Sequence, residues 1–137
     1  MSVLNYYIET KDRHHLPEVY YYAGRVCRDL GDVPQALDYF EKALDVVEES
    51  GEYSLKGRIY SQMGTLFMYQ DMCEEAADKF AEAYRYDLLQ KDTVGMIFDL
   101  RDVAVTWGYM DKPDSALHYY REAYGLAKKH LQGSLEK

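Results

Sequence analysis

The chain has 137 residues, 47% hydrophobic and 29% charged, with only three prolines; such a composition folds, as one compact domain or one short repeat array. Sixteen Lys and Arg against 24 Asp and Glu leave a net charge of −8, which argues against binding that neutralises many phosphates, on nucleic acid or on an anionic membrane surface.

The longest uncharged stretch, Ile59 to Gln70, is 12 residues long, well short of the roughly 20 that span a bilayer. No basic-then-apolar leader opens the sequence, so the cytoplasm is the default expectation. Two cysteines make no disulfide framework.

A 40-residue ruler organises the chain: QALDYFEKAL (35–44), EAADKFAEAY (75–84) and SALHYYREAY (115–124) align. In chain order, VLNYYIET (3–10) falls on ALDVVEES (43–50), the end of a second helix, so residues 1–16 read as the tail of a preceding repeat with a partial helix at 2–10. Repeat 1 is expected over 17–56. Tyr20, Ala23, Gly24 and Cys27 share one helix face, Gly31-Asp32 before Pro34 marks a turn, and Ala36, Phe40 and Ala43 share a face of the next helix. Repeat 2 (57–96) has Tyr60, Met63, Gly64 and Phe67, then Asp71 before Glu74, then Ala76, Phe80 and Ala83. Repeat 3 (97–131) has Leu100, Val103, Ala104 and Trp107, then Asp111 before Pro113, then Ala116, Tyr120 and Ala123, with 132–137 as a polar tail. The aspartates are expected to cap the second helices. A glycine inside a helix costs roughly 0.5–1 kcal/mol against alanine, so Gly24 and Gly64 imply close approach of the partner helix.

The chemistry-bearing residues are sparse. His14 and His15 are sequence neighbours pointing different ways, His118 and His130 lie too far apart for one site, and no Cys or carboxylate stands at zinc spacing around them. Cys27 occupies a core column, and Glu48-Glu49 and Glu74-Glu75 read as helix-surface charges. No glycine loop could cradle a phosphate. Neither a catalytic residue, a metal site nor a cofactor is expected, and the chain reads as non-enzymatic.

The alternating aromatic, small and aromatic columns resemble the tetratricopeptide repeat, whose usual period is about 34 residues. The resemblance implies an all-α, right-handed array of about three antiparallel helix pairs, plus the partial N-terminal helix. The third copy also resembles regulatory repeat proteins of Bacteroides-type bacteria. Cys27 departs from the family's aromatic, and the closing proline is absent from all three copies.

In this family the first helices line a concave face. The resemblance puts Glu18, Tyr21, Tyr22, Arg25, Arg28 and Asp29 there from the first copy, and Arg58, Ser61, Gln62, Thr65, Met68 and Tyr69 from the second. From the third come Phe98, Arg101, Asp102, Val105 and Tyr109. Tyr, Phe, Met and Arg are enriched in protein interfaces. Chaperone-binding members clamp a C-terminal carboxylate with Lys and Asn; Tyr21, Arg25, Gln62, Phe98 and Asp102 stand at those positions here, and the pattern fails.

The expected function is a scaffold that binds a peptide or protein segment in this groove, as part of a larger regulatory protein. The alternative is a self-association module without a peptide ligand. A third reading is a sensory input domain whose output lies elsewhere. Unpartnered apolar residues at 3–8 and in the last helix point to a homodimer, either because the chain is a piece of a longer array or because a short array covers its own ends.

Overall fold

The computed structural model describes residues 15–50 and 53–136. The partial helix expected at 2–10, with its apolar residues, lies outside them. Six helices follow in order: α1 (Leu16–Asp29), α2 (Val33–Ser50), α3 (Tyr53–Tyr69), α4 (Cys73–Leu89), α5 (Thr93–Tyr109) and α6 (Pro113–Glu136). There is no strand among the described residues. Consecutive helices pack as the hairpins α1–α2, α3–α4 and α5–α6, and α4 lies against α5 to join the last two. The expected all-α array of helical hairpins is what the chain forms.

The turns share one geometry. Gly31, Asp71, Lys91 and Asp111 each adopt φ between 57° and 83°, the left-handed conformation that ends a helix. One residue later, the amides of Asp32, Met72, Asp92 and Lys112 donate to the carbonyls of Cys27, Phe67, Asp87 and Trp107 at 2.9–3.0 Å. These bonds satisfy carbonyls that a helix end otherwise leaves without a donor.

The capping aspartates are therefore not equivalent. Asp32 accepts from the Gln35 amide at 3.2 Å, as expected. Asp71 and Asp111 sit one position earlier, in the left-handed residue itself, and Met72 starts α4 with no side-chain cap. Asp92 caps α5 instead, accepting from the Gly95 amide at 3.1 Å.

Each of the first two hairpins closes on a glycine notch. A Cβ on Gly24 would meet the Phe40 ring at 2.6 Å, and one on Gly64 would meet the Phe80 ring at 2.6 Å. Both rings are buried, along with Ala36, Ala43, Ala76 and Ala83. In the third hairpin Ala104 is buried in the glycine column, and its methyl occupies the notch. Tyr120, expected in the core, is 43% exposed. The ring that would follow Phe40 and Phe80 stays at the surface.

The rest of the expected core is packed, though not uniformly. Leu100, Ala116 and Ala123 are buried. Tyr20, Cys27, Tyr60 and Phe67 pack half-buried around the Phe40 cluster, and Phe67 and Trp107 around the Phe80 cluster. Burial raises the Cys27 thiol above its ordinary pKa, helped by the nearby charge of Asp32, which makes it a poor nucleophile. Helix α6 continues through Glu136 and takes in most of the segment read as a polar tail, with Leu131 and Leu135 exposed along it.

Candidate functional site

Residues of α1, α3 and α5 meet with the end of α4 around a pocket of about 250 Å³. Tyr21 comes from α1, Gly57, Arg58, Ser61 and Gln62 from α3, Asp87 from α4, and Gly95, Phe98 and Asp99 from α5, with Asp92 at the α4–α5 turn. Five of the expected groove positions (Tyr21, Arg58, Ser61, Gln62 and Phe98) thus converge on one cavity.

Tyr21 departs from the expectation in one respect. It is only 3% exposed, packed against Phe40 with ring centroids 6.0 Å apart and against Tyr22 at 5.3 Å. It closes the core beneath the site and presents little surface of its own. The exposed aromatics among the expected groove positions are Tyr22 (52%), Tyr69 (69%), Phe98 (50%) and Tyr109 (72%).

The arginines are held over rings. Arg25 lies 5.8 Å from the Tyr21 centroid and 5.9 Å from that of Tyr22; Arg58 is 5.2 Å from Tyr21, and Arg101 is 4.9 Å from Phe98. Such stacking is worth about 0.5–1 kcal/mol at exposed sites. Arg28 bonds Asp29 at 2.9 Å and donates to the Gln62 carbonyl oxygen, tying α1 to α3. Arg101 pairs with Asp102 at 3.0 Å.

Further along the same face, Thr65, Met68, Asp102, Val105 and Thr106 line a smaller cavity of about 150 Å³ with Phe80. The Thr106 hydroxyl donates to the Asp102 carbonyl at 2.8 Å, and Thr65 donates to the Ser61 carbonyl at 3.2 Å. The Thr65 hydroxyl is spent on its own helix, whereas that of Thr106 also lies 3.6 Å from Met68 Sδ on α3. Tyr109, Val105 and Gly108 end the run beside the displaced Tyr120.

Five residues of the larger pocket escaped the sequence reading, the glycines Gly57 and Gly95 and the acids Asp87, Asp92 and Asp99. Asp99 is 3% exposed. Burial, and next the facing carboxyl of Asp87, push its pKa up to about 10, so it holds a proton at neutral pH. The signal that could have found it lies in the 40-residue ruler, which puts Asp87 on Val47 and Asp99 on Ile59. Both of those apolar residues are fully buried in the preceding cluster.

No group of three or more His, Cys, Asp or Glu is placed to hold a metal ion among the described residues. No described helix is long and apolar enough to cross a membrane.

The family model for the tetratricopeptide repeat matches residues 16–88. No curated protein matches the sequence. Among solved structures, the TPR domain of Arabidopsis FLU superposes with a TM-score of 0.78 at 11% identity, over 85% of this chain and 98% of that one. BtubC (BKLC) from P. vanneervenii gives a TM-score of 0.78 at 16% identity over 85% of this chain and 48% of that one, so the chain spans about half of that protein. At these identities the likeness is one of fold.

Proposed function

The chain belongs to the tetratricopeptide repeat family, and from that premise we propose that it is a non-enzymatic scaffold whose α1–α3–α5 face binds a peptide or protein segment. The observation that carries this is the exposed Phe98 in the pocket together with exposed Tyr22, Tyr69 and Tyr109 on the same three helices, with Arg25, Arg58 and Arg101 stacked on aromatic rings there. Aromatic and arginine side chains left on a surface beside a cavity are the anchors of an interface. A segment lying across the hairpins would bury the rings for affinity and set its register on the arginines. The role in a larger regulatory protein rests on the resemblance of the third copy to bacterial regulatory repeats.

The test is selection of displayed random peptides on the full chain, followed by binding to a Tyr22→Ser/Phe98→Ser variant. Selected peptides should lose about tenfold or more in affinity on the variant, as hot-spot aromatics do, while its melting temperature stays close to wild type. Equal affinity for the two proteins would remove the face from consideration.

The outer face of α6 favours self-association as a second activity. Leu117, Tyr120, Tyr124, Leu131 and Leu135 are all exposed on one stripe of that helix. The two readings use different faces and are separable by mutation.

A further inference from the structure

Val47 and Ile59 are buried together in the first apolar cluster, and 40 residues later the same two positions hold Asp87 and Asp99. A repeat that only needed to stack would keep the apolar pair, since burying a carboxyl costs several kcal/mol unless it is protonated or partnered. The chain instead makes room for the acids. A Cβ on Gly57 would come within 2.8 Å of Asp87 Oδ1, and a Cβ on Gly95 within 2.7 Å of Asp87 Oδ2. Two helix glycines, on α3 and α5, thus admit both oxygens of one carboxylate.

Asp99 shares the pocket, and its Oδ2 is buried without a hydrogen-bond donor. The polar group it faces is Asp87, an acceptor like itself, and beside it and in the buried site Asp99 keeps its proton. Asp92 reaches the same spot: its Oδ2 would lie 2.8 Å from a Gly95 Cβ. Against three acids, Arg58 is the one cationic residue lining the pocket among the described residues, and its guanidinium is drawn over Tyr21.

We propose that this pocket receives a lysine or arginine side chain from the bound segment, with its methylenes between Tyr21 and Phe98 and its charged end on the Asp87–Asp99 pair. The incoming cation supplies the donors that Asp99 Oδ2 lacks and takes the place of the proton Asp99 holds, which leaves to solvent. The acids lack metal-site geometry, whereas an ammonium or guanidinium needs only acceptors at the end of an apolar sleeve. The proposal rests on the peptide-binding reading of the face and names the residue that reading leaves open.

The probes are blocked pentapeptides Ala-Leu-X-Leu-Ala with X lysine, arginine, norleucine or glutamate, titrated into the ¹⁵N-labelled full chain. The lysine and arginine peptides should shift the amides of Gly57, Gly95 and Asp99 and bind roughly tenfold or more tightly than the norleucine peptide, as charge-assisted hydrogen bonds allow. The Asp87→Val/Asp99→Ile variant, which restores the apolar pair, should melt at or above wild type and lose the preference. If that variant does not fold, Asp87→Asn/Asp99→Asn makes the same comparison. Equal binding of lysine and norleucine peptides at these amides overturns the basic-side-chain proposal and leaves the peptide-binding reading standing. Absence of any shift along the α1–α3–α5 face overturns both. A loss of stability in the folded apolar variant, with the lysine preference intact, would make the acids structural and also overturn the proposal.

Discussion

Gly64 and Phe80 are one contact seen from two helices. The glycine hydrogen points at a ring that is buried and cannot swing away. Gly64→Leu forces the ring or the helix to move, and overpacking of this kind costs about 1–3 kcal/mol, occasionally more. Tyr22→Ser, on an exposed ring, is expected to cost much less; thermal melts that ranked the two in reverse would invert the assignment of core and surface. Asp99 gives a second residue-scale expectation, with a sign opposite to that of an ordinary paired carboxylate. Its pKa is raised from the ordinary 3.8 to about 10 by burial and by the acids Asp87, Asp102 and Asp92 around it. Between those limits the folded chain holds a proton that the unfolded chain releases, so stability is greatest below the unfolded pKa and falls as pH rises. Burial also raises Asp102, against the opposing pull of Arg101, and acts in the same direction. Melting temperature should therefore decline steadily from mildly acidic to mildly alkaline pH, and Asp99→Asn should flatten most of the decline. A profile that rises with pH would show Asp99 ionised in the folded state.

At the scale of helices, the three hairpins offer one position in three environments. Phe40 and Phe80 enter glycine notches, whereas Tyr120, in the hairpin whose column holds Ala104, stays at the surface. Truncating a buried phenylalanine to alanine costs about 3–5 kcal/mol. Phe80→Ala should therefore lower the denaturation midpoint sharply, while Tyr120→Ala should shift it only slightly. Comparable losses at the two positions would mean that Tyr120 packs inward in solution. The same column shows how far the sequence could be read. Helix positions, pairing and the notch glycines follow from a 40-residue spacing of small and aromatic residues, because each such residue answers to a contact inside its own hairpin. Tyr120 did not follow, because Ala104 and Gly64 look interchangeable as small residues until a ring must fit against them. The acidic pocket was legible in principle, in the replacement of Val47 and Ile59 by Asp87 and Asp99, yet it depends on contacts between hairpins that a column-by-column comparison does not join. Tyr21 is similar: its place on the helix is that of a groove residue, and only the packing of Phe40 beneath it shows that its ring is turned inward.

For the molecule as a whole, charge and apolar surface pull in different directions. Helix α6 packs on α5 through Ala116 and Ala123, and a stripe flanking that face carries Leu117, Tyr120, Tyr124, Leu131 and Leu135 at spacings of three, four, seven and four residues. That is one continuous stripe, exposed along nearly the full helix, with no described helix laid over it. Fully burying a side chain of this size is worth roughly 1.5–3 kcal/mol over leaving it in water. Two copies meeting stripe to stripe would cover both at once, and a two-fold pair is the commonest closed arrangement. The net charge of −8 resists this only weakly, because at physiological salt exposed charges are screened beyond about 8 Å. The full chain is therefore expected to be a dimer at micromolar concentration, and lower salt should shift it towards monomer. Leu117→Glu/Tyr124→Glu places four carboxylates in the paired stripe and should yield a monomer by light scattering, with circular dichroism still helical and peptide binding on the α1–α3–α5 face unchanged. A wild-type chain that stays monomeric under the same conditions would show that the stripe does not pair with itself, and self-association would then be lost as a second activity of this scaffold.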